Sequence, residues 1–471
     1  MTRAEAILYT LVAYKLVLVA IGLWAARRNL DTADFFLGGR RLGGWVAAIS
    51  ASASSSSAWT LVAVSGMAYL WGWPALWLFP ATLSGFIINW FWVAPRLMRA
   101  SRDQGAITLT EFIAGPGADH GWPRRIVILA SGVVLFSFTF YIAAQFQAAG
   151  SAFASTFELE MRTAVMIGAA VVLLYTLLGG FWAVSVTDTL QGLVMAVTAL
   201  LLPVAAVIAA GGPGAVVEAL AAQGPALGGP PTAGIAAVGF VLGTLGIGIG
   251  YPGQPHVVNR FMALRDARAL RDGQVIAISW AVVIYAGMLT VGLAARALYG
   301  GLLADEQVLF EVANRLFAPV VAGIIIAAVL SAIMSTADSQ LLVAAASVSH
   351  DLPRRGRGSL AVSRLVVALI SGLAVLVAVL LPQTIFARVL FAWTALGAAF
   401  GPPLLVRLAG FTMPPPHVFA ALAVGFFGTV GCYWLPNTPG DWLERLVPFF
   451  LSLAICLSAA RKPGDPVKHA T

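Results

Sequence analysis

A chain of 471 residues in which 60% are hydrophobic and only 10% charged, with a mean hydropathy of +0.89, lies far outside the range of water-soluble domains. Its formal charge of +8 comes without a basic helix or aromatic platform outside the apolar runs, which argues against nucleic acid as a partner. Cys432 and Cys456 both fall in apolar runs and the five histidines show no metal-ligand spacing, so neither a disulfide nor a metal centre is expected.

The composition predicts an all-α, polytopic membrane protein forming a single transmembrane domain. Apolar runs bounded by Arg, Pro or Gly number about thirteen: roughly 6–26, 43–70, 74–98, 125–155, 161–179, 182–211, 233–263, 272–299, 318–349, 362–381, 384–408, 416–435 and 443–460. Arginines cluster on alternate connections: Arg27, Arg28, Arg40 and Arg41 follow the first run, Arg96, Arg99 and Arg102 the third, Arg260, Arg265 and Arg268 the seventh. By the positive-inside rule the N-terminus is expected outside and the C-terminus in the cytoplasm of a cell whose inner membrane holds the chain. Charges that follow the first apolar run also argue against a cleaved leader.

In chain order, the first run carries Lys15, read as a snorkelling or helix-packing lysine. The second contains SASASSSSAW, residues 50–59, with six serines where a membrane-buried helix is otherwise demanded. Such a stretch either lines a cavity or lets two helices approach closely. The third run holds Asn89, Trp90 and Trp92, expected as an interfacial belt. In the fourth, Tyr141 and Gln145 share a helical face and either line a cavity or bond to a neighbouring helix.

Asp188 lies about six residues into the sixth run, about 9 Å from its start at ~1.5 Å per residue. An ionisable group at that depth is a candidate functional residue, with a structural hydrogen bond as the alternative. The seventh run contains GTLGIGIGYPGQPH, residues 243–256, whose five glycines and two prolines cannot propagate a regular helix. Two interrupted runs, the second and the seventh, occupy corresponding places in two halves of five runs each. That is the sequence pattern of a transporter binding site, and it favours the cavity reading of the serines. In the ninth run Ala332, Ser335, Thr336 and Ser339 share one face, with Asp338 beside it. Hydroxyls opposite free carbonyls of an unwound helix form an oxygen cage suited to a hard monovalent cation. Asp188 and Asp338, both toward the arginine-rich side, suggest a second cation site below the first.

DFFLGGRRLGGWVAAIS, SASASSSSAW, GGFWAVSVTDTLQGLVM, GYPGQPHVVNRFMA, MSTADSQLLV and WTALGAAFGP together resemble the sodium:solute symporter family, closest to its sodium/proline branch. The resemblance implies a leucine-transporter-like core of two inverted five-helix repeats, residues 43–211 and 233–408, with 1–42 and 409–471 peripheral. It implies sodium as the co-transported ion, held by the carbonyls of Ala53, Ser56 and Ala332 and the hydroxyls of Ser335 and Thr336. A second cation would use Asp188, Ser335, Asp338 and Ser339. Solute-lining positions map onto Ser55, Ser57, Tyr141, Tyr251 and Pro255, with Gln145 and Gln254 completing the expected set. The chain departs from the proline branch at Ser55, where that branch has Asp, at Ile247, where it has Trp, and at Pro74 or Ala75, where it has an acid.

The function so implied is sodium-coupled uptake of a small organic solute, an amino acid such as proline or a similar molecule, by alternating access. A solute sensor and a proton-coupled symporter using Asp188 are the alternatives. An enzyme is disfavoured because no nucleophile-base pair appears. The bilayer and the small solute are the only partners indicated.

Overall fold

The computed structural model describes residues 2–26, 40, 42–116, 120–176, 181–223, 230–301, 303–353, 360–381 and 383–462. Chain order gives α1 (Arg3–Ala26), α2 (Gly44–Ser55), α3 (Val64–Trp71), α4 (Leu78–Ile87), α5 (Ala94–Asp103), α6 (Leu109–Ala114), α7 (Gly121–Phe157), α8 (Met161–Thr176), α9 (Phe181–Ala209) and α10 (Pro213–Gln223). The second half contributes α11 (Gly234–Ile249), α12 (Pro255–Ala263), α13 (Ala267–Tyr299), α14 (Val308–Leu316), α15 (Pro319–Ala346), α16 (Leu360–Leu380), α17 (Ile385–Leu408), α18 (Pro415–Tyr433) and α19 (Trp442–Ser458).

Ten described helical stretches are long and apolar enough to cross a membrane. The remaining expected runs fall on the interrupted α2 and α3, on the 16-residue α8 and on the 17-residue α19. The short α10 lies in a connection where no helix was expected, and its Gln223 Nε2 donates to Arg296 O, 3.2 Å away.

Helix α17 is buried along almost its whole length and α15 along most of it, so these two form the middle of the bundle. Helix α16 turns Leu365, Leu369, Leu373, Leu376 and Leu380 outward, each more than half exposed. In water that stripe would be prohibitive, whereas against acyl chains it is the expected outer face of a peripheral helix.

Both interrupted runs are broken where their composition demands it. Helix α2 ends at Ser56 (φ −98°, ψ 73°), and after Ser57 the chain resumes as a π-helical turn, Trp59–Ala63, leading into α3. Helix α11 ends at Gly250; a 3₁₀ turn, Tyr251–Gly253, and an extended Gln254 then lead into α12, whose first residue is Pro255. Proline is tolerated there because the first helical N–H has no intrahelical acceptor.

Candidate functional site

The break in α2 faces α15. Ser335 Oγ lies 3.2 Å from Ala53 O and 3.2 Å from Ala332 O, and Thr336 Oγ1 donates to Ser54 O at 2.9 Å. Three of the five expected sodium-binding residues, Ala53, Ala332 and Ser335, therefore meet at one point, with Thr336 one residue further along the same chain. The Ser56 hydroxyl is turned away and accepts from Trp280 Nε1 at 2.9 Å, which fixes the residue where the helix unwinds. Ser335, Thr336 and Ser56 are all fully buried, and the oxygens offered are hard and uncharged, the donor set that suits a monovalent cation.

Around the break in α11 the backbone is clamped by side chains. Gln254 Nε2 donates to Gly250 O (3.0 Å) and Trp393 O (2.9 Å), Trp393 Nε1 donates to Ile247 O (3.1 Å), and Asn89 Nδ2 donates to Tyr251 O (3.2 Å). At the other break Gln145 Oε1 accepts from Ala58 N at 3.1 Å. Gln145 thus serves an N–H at the break that must be paired away from water, while Gln254 ties the α11 break to α17 through carbonyl oxygens that accept a second bond. The interfacial role expected for Asn89 and Trp90 is corrected here: both are buried, because the first holds the α11 break and the second packs edge-on against Phe261.

Between the two breaks lies an aromatic cluster. Tyr251 packs edge-on against Trp393 with centroids 4.6 Å apart, and its hydroxyl is 3.1 Å from that of Tyr285, which in turn is 3.2 Å from Thr60 Oγ1. Trp59 meets Tyr285 edge-on, and Tyr141 donates to Ser57 Oγ at 3.3 Å. Of the expected solute residues, Ser57, Tyr141 and Tyr251 join this cluster and Pro255 begins the helix beside it, while Ser55 Oγ bonds back to Ser52 O at 2.9 Å. Trp59, Tyr285 and Trp393 were not anticipated; each was an aromatic in an apolar run, with no local signal to separate it from packing.

The expected second cation site is brought together in part. Asp188 and Ser339 converge, but around the guanidinium of Arg260, whose Nη2 lies 2.8 Å from Asp188 Oδ2 and 2.6 Å from Ser339 Oγ. Asp338 instead lies close enough to Lys15 for their charges to interact, so Lys15 is more than a snorkelling residue. The scattered histidines also conceal a grouping: His350 Nε2 is 2.9 Å from Glu111 Oε1, with Asp351 alongside and accepting from Thr108 Oγ1 at 2.9 Å.

A family model for the sodium:solute symporter family matches residues 35–411. The chain belongs to the sodium:solute symporter family. The symporter is 33% identical to the high-affinity proline transporter PutP of Bacillus subtilis over 92% of its own length and 93% of that protein. It is also 33% identical to the sodium/proline symporter of Escherichia coli, over 89% and 87% respectively. Among solved structures, a substrate-bound, outward-open Na+-coupled sialic acid symporter superposes with a TM-score of 0.78 at 16% identity, covering 97% of this chain and 99% of that one. The fold is leucine-transporter-like and sodium is the coupling ion.

At the end of α13 away from Arg265 and Arg268, the α13–α15 connection packs against the turn that follows the α2 break and against α7. Glu306 there accepts from Ile385 N and from Gln147 Nε2 (3.3 Å), and Arg388 Nη1 donates to Gln147 Oε1 at 2.5 Å. Burial, aided by neighbouring Asp305, pushes the Glu306 carboxyl up to about 7 against the lowering effect of the Ile385 N–H and Arg388. A raised carboxyl stabilises the folded state fully below its ordinary range and loses that contribution as pH rises through about 7. Thermal stability of the purified symporter is expected to fall by about 2 °C more between about pH 6 and pH 8 than that of Glu306→Gln.

Proposed function

We propose that this symporter takes up L-proline, or a zwitterion of similar size, together with sodium across the plasma membrane. The arginine-rich face is assigned to the cytoplasm, with the N-terminus outside and the C-terminus inside. Residues 43–211 and 233–408 are assigned as the two inverted repeats. Sodium is assigned to Ala53, Ser56, Ala332, Ser335 and Thr336, and the solute to the aromatic cluster with Ser55, Ser57, Tyr141, Tyr251 and Pro255, between breaks held by Gln145 and Gln254.

The observation that carries this reading is the meeting of Ser335 and Thr336 with the unwound end of α2, beside the second break. Helix N-termini at interrupted helices carry a positive dipole end that suits a carboxylate. The faces of Trp59, Tyr251 and Trp393 suit an ammonium group by cation–π attraction. Proline is the solute named for the relatives in Bacillus subtilis and Escherichia coli, and it combines those two groups in a small body.

Asp188 is a poor candidate for a proton carrier. It lies 2.8 Å from the buried Arg260, and protonating it would break a buried ion pair, which is costly.

Thermal-shift measurements on the purified protein with L-proline, betaine, other amino acids and sugars, each in sodium and in potassium, test the proposal. A ligand at 100 times its Kd adds about 2.7 kcal/mol of apparent stability. L-proline is expected to stabilise in sodium only. Stabilisation by a different solute replaces the substrate and leaves the cation assignment standing, whereas equal stabilisation in potassium removes the cation assignment. Binding without uptake into vesicles moves the sensor reading ahead.

A further inference from the structure

Arg260 lies on α12, in the second half of the broken seventh run, and its side chain is only 2% exposed. Its Nε donates to Ser50 Oγ (2.8 Å), its Nη1 to His256 O, and its Nη2 to Asp188 Oδ2 (2.8 Å) and Ser339 Oγ (2.6 Å). Asp188 Oδ2 also accepts from Ser50 Oγ (2.8 Å) and Ser54 Oγ (3.3 Å). One guanidinium thus joins α2, α9, α12 and α15 at a single buried point.

That point adjoins the sodium position. Ser54 Oγ donates to Ser335 O at 3.1 Å and lies 3.0 Å from Ser339 Oγ, and Ser339 is one turn beyond Ser335 on α15. Ser335 therefore borders both places, through its hydroxyl on one side and its carbonyl on the other. The carboxylate and hydroxyl oxygens that a second monovalent cation needs are present here, and Arg260 already takes Asp188 Oδ2 and Ser339 Oγ, leaving only Asp188 Oδ1 of that carboxylate without a hydrogen bond.

We propose that Arg260 is a resident cation which fills the second cation position, so that this symporter couples one sodium ion, and not two, to each solute. The inference rests on the assignment of the first sodium to Ser335 and its neighbours. A guanidinium held by covalent attachment needs no capture from solution, and it repels a mobile ion. A like charge at ~4 Å lowers occupancy about a thousandfold at an effective dielectric near 20. The other carboxylate expected in a second site, Asp338, lies within electrostatic range of Lys15 on α1, whose Nζ is 2.6 Å from Met334 Sδ. Both acids of the expected site thus face cations that belong to the protein. The consequence is energetic: one sodium crossing ~100 mV with a tenfold gradient supports roughly 400-fold accumulation, and a second would square that limit.

The test counts radioactive sodium bound per polypeptide of the purified full chain. At a sodium concentration that just fills the wild-type site, wild type is expected to bind one ion and Ser335→Ala close to none. Arg260→Gln is expected to bind two, and the double variant Arg260→Gln/Asp188→Asn to return to one. Arg260→Lys, which keeps the charge, is expected to stay at one. A wild-type count of two overturns the inference, as does a sustained count of one in folded Arg260→Gln. A wild-type count of zero removes the first-site assignment and the inference with it, an outcome distinct from a count of two. Should Arg260→Gln fail to fold, the wild-type count still decides, since one ion lost in Ser335→Ala supports a single site and a wild-type count of two refutes it.

Discussion

Ser335→Ala is expected to raise the sodium concentration for half-maximal uptake by about 10- to 100-fold, with the solute's own half-saturation little changed once sodium is saturating. The hydroxyl is one of roughly five oxygens in the expected cage and sits 3.2 Å from both Ala53 O and Ala332 O. Removing it leaves two buried carbonyls with one partner fewer, a loss of about 1–3 kcal/mol, and each 1.4 kcal/mol is about tenfold in affinity. Thr336→Ala is expected to act in the same direction through Ser54 O, 2.9 Å from its hydroxyl. The two losses should not add, because neighbouring ligands of one ion share its binding energy. Ser331→Ala supplies the control. It lies one turn away on α15 but bonds to Ala327 O and to Tyr14, so it should leave the sodium response where it was. An unchanged sodium response in Ser335→Ala, measured as concentration-dependent uptake into vesicles, would remove Ser335 from the cage.

The sequence shows the two breaks because backbone chemistry is local. Five glycines and two prolines between 243 and 256 cannot continue a regular helix, and six serines between 50 and 57 mark a polar, small-residue interruption of an apolar run. The cation face of α15 is legible for the same reason, since a spacing of three and four residues fixes which hydroxyls point together. Periodicity does not say what stands opposite. Asp188 and Arg260 are 72 residues apart, and the arginine reads in sequence as one more member of a basic connection. Gln145 and Gln254 look like cavity-lining amides, and periodicity does not show that one end of each is spent on distant backbone, Ala58 N and Trp393 O, while Gln145 Nε2 and Gln254 Oε1 are buried without a hydrogen bond. Asn89 was misplaced at the interface for the same reason, because its acceptor, Tyr251 O, lies 162 residues away. The His350–Glu111 contact spans 239 residues and follows from helix packing alone.

Gly253→Ala is expected to reduce uptake below about a tenth of wild type and to lower the thermal midpoint by several degrees. A Cβ at this position would lie 2.6 Å from Gly397 Cα, 2.7 Å from Leu396 O and 2.9 Å from Gly397 O. All three are backbone atoms of α17, a helix buried along its length that has no room to withdraw. Overpacking of this kind costs about 1–3 kcal/mol, more where the obstacle is main chain. The damage reaches the site because the break in α11 and helix α17 are tied by Gln254 Nε2 to Trp393 O and by Trp393 Nε1 to Ile247 O. Forcing the strands of that junction apart stretches both bonds and moves Trp393 away from Tyr251, 4.6 Å from it in the aromatic cluster. Gly397→Ala should reproduce the defect from the other side, with its Cβ 2.6 Å from Gly250 Cα. Gly372→Ala, on the peripheral α16, meets nothing within 4 Å and should be neutral or stabilising by up to about 1 kcal/mol, since alanine is the better helix former. Uptake and thermal midpoint measured on the three variants separate a general intolerance of alanine from a specific need for backbone-to-backbone contact where α17 crosses the broken helix. Equal behaviour of Gly253→Ala and Gly372→Ala would show that the contact is not required for transport.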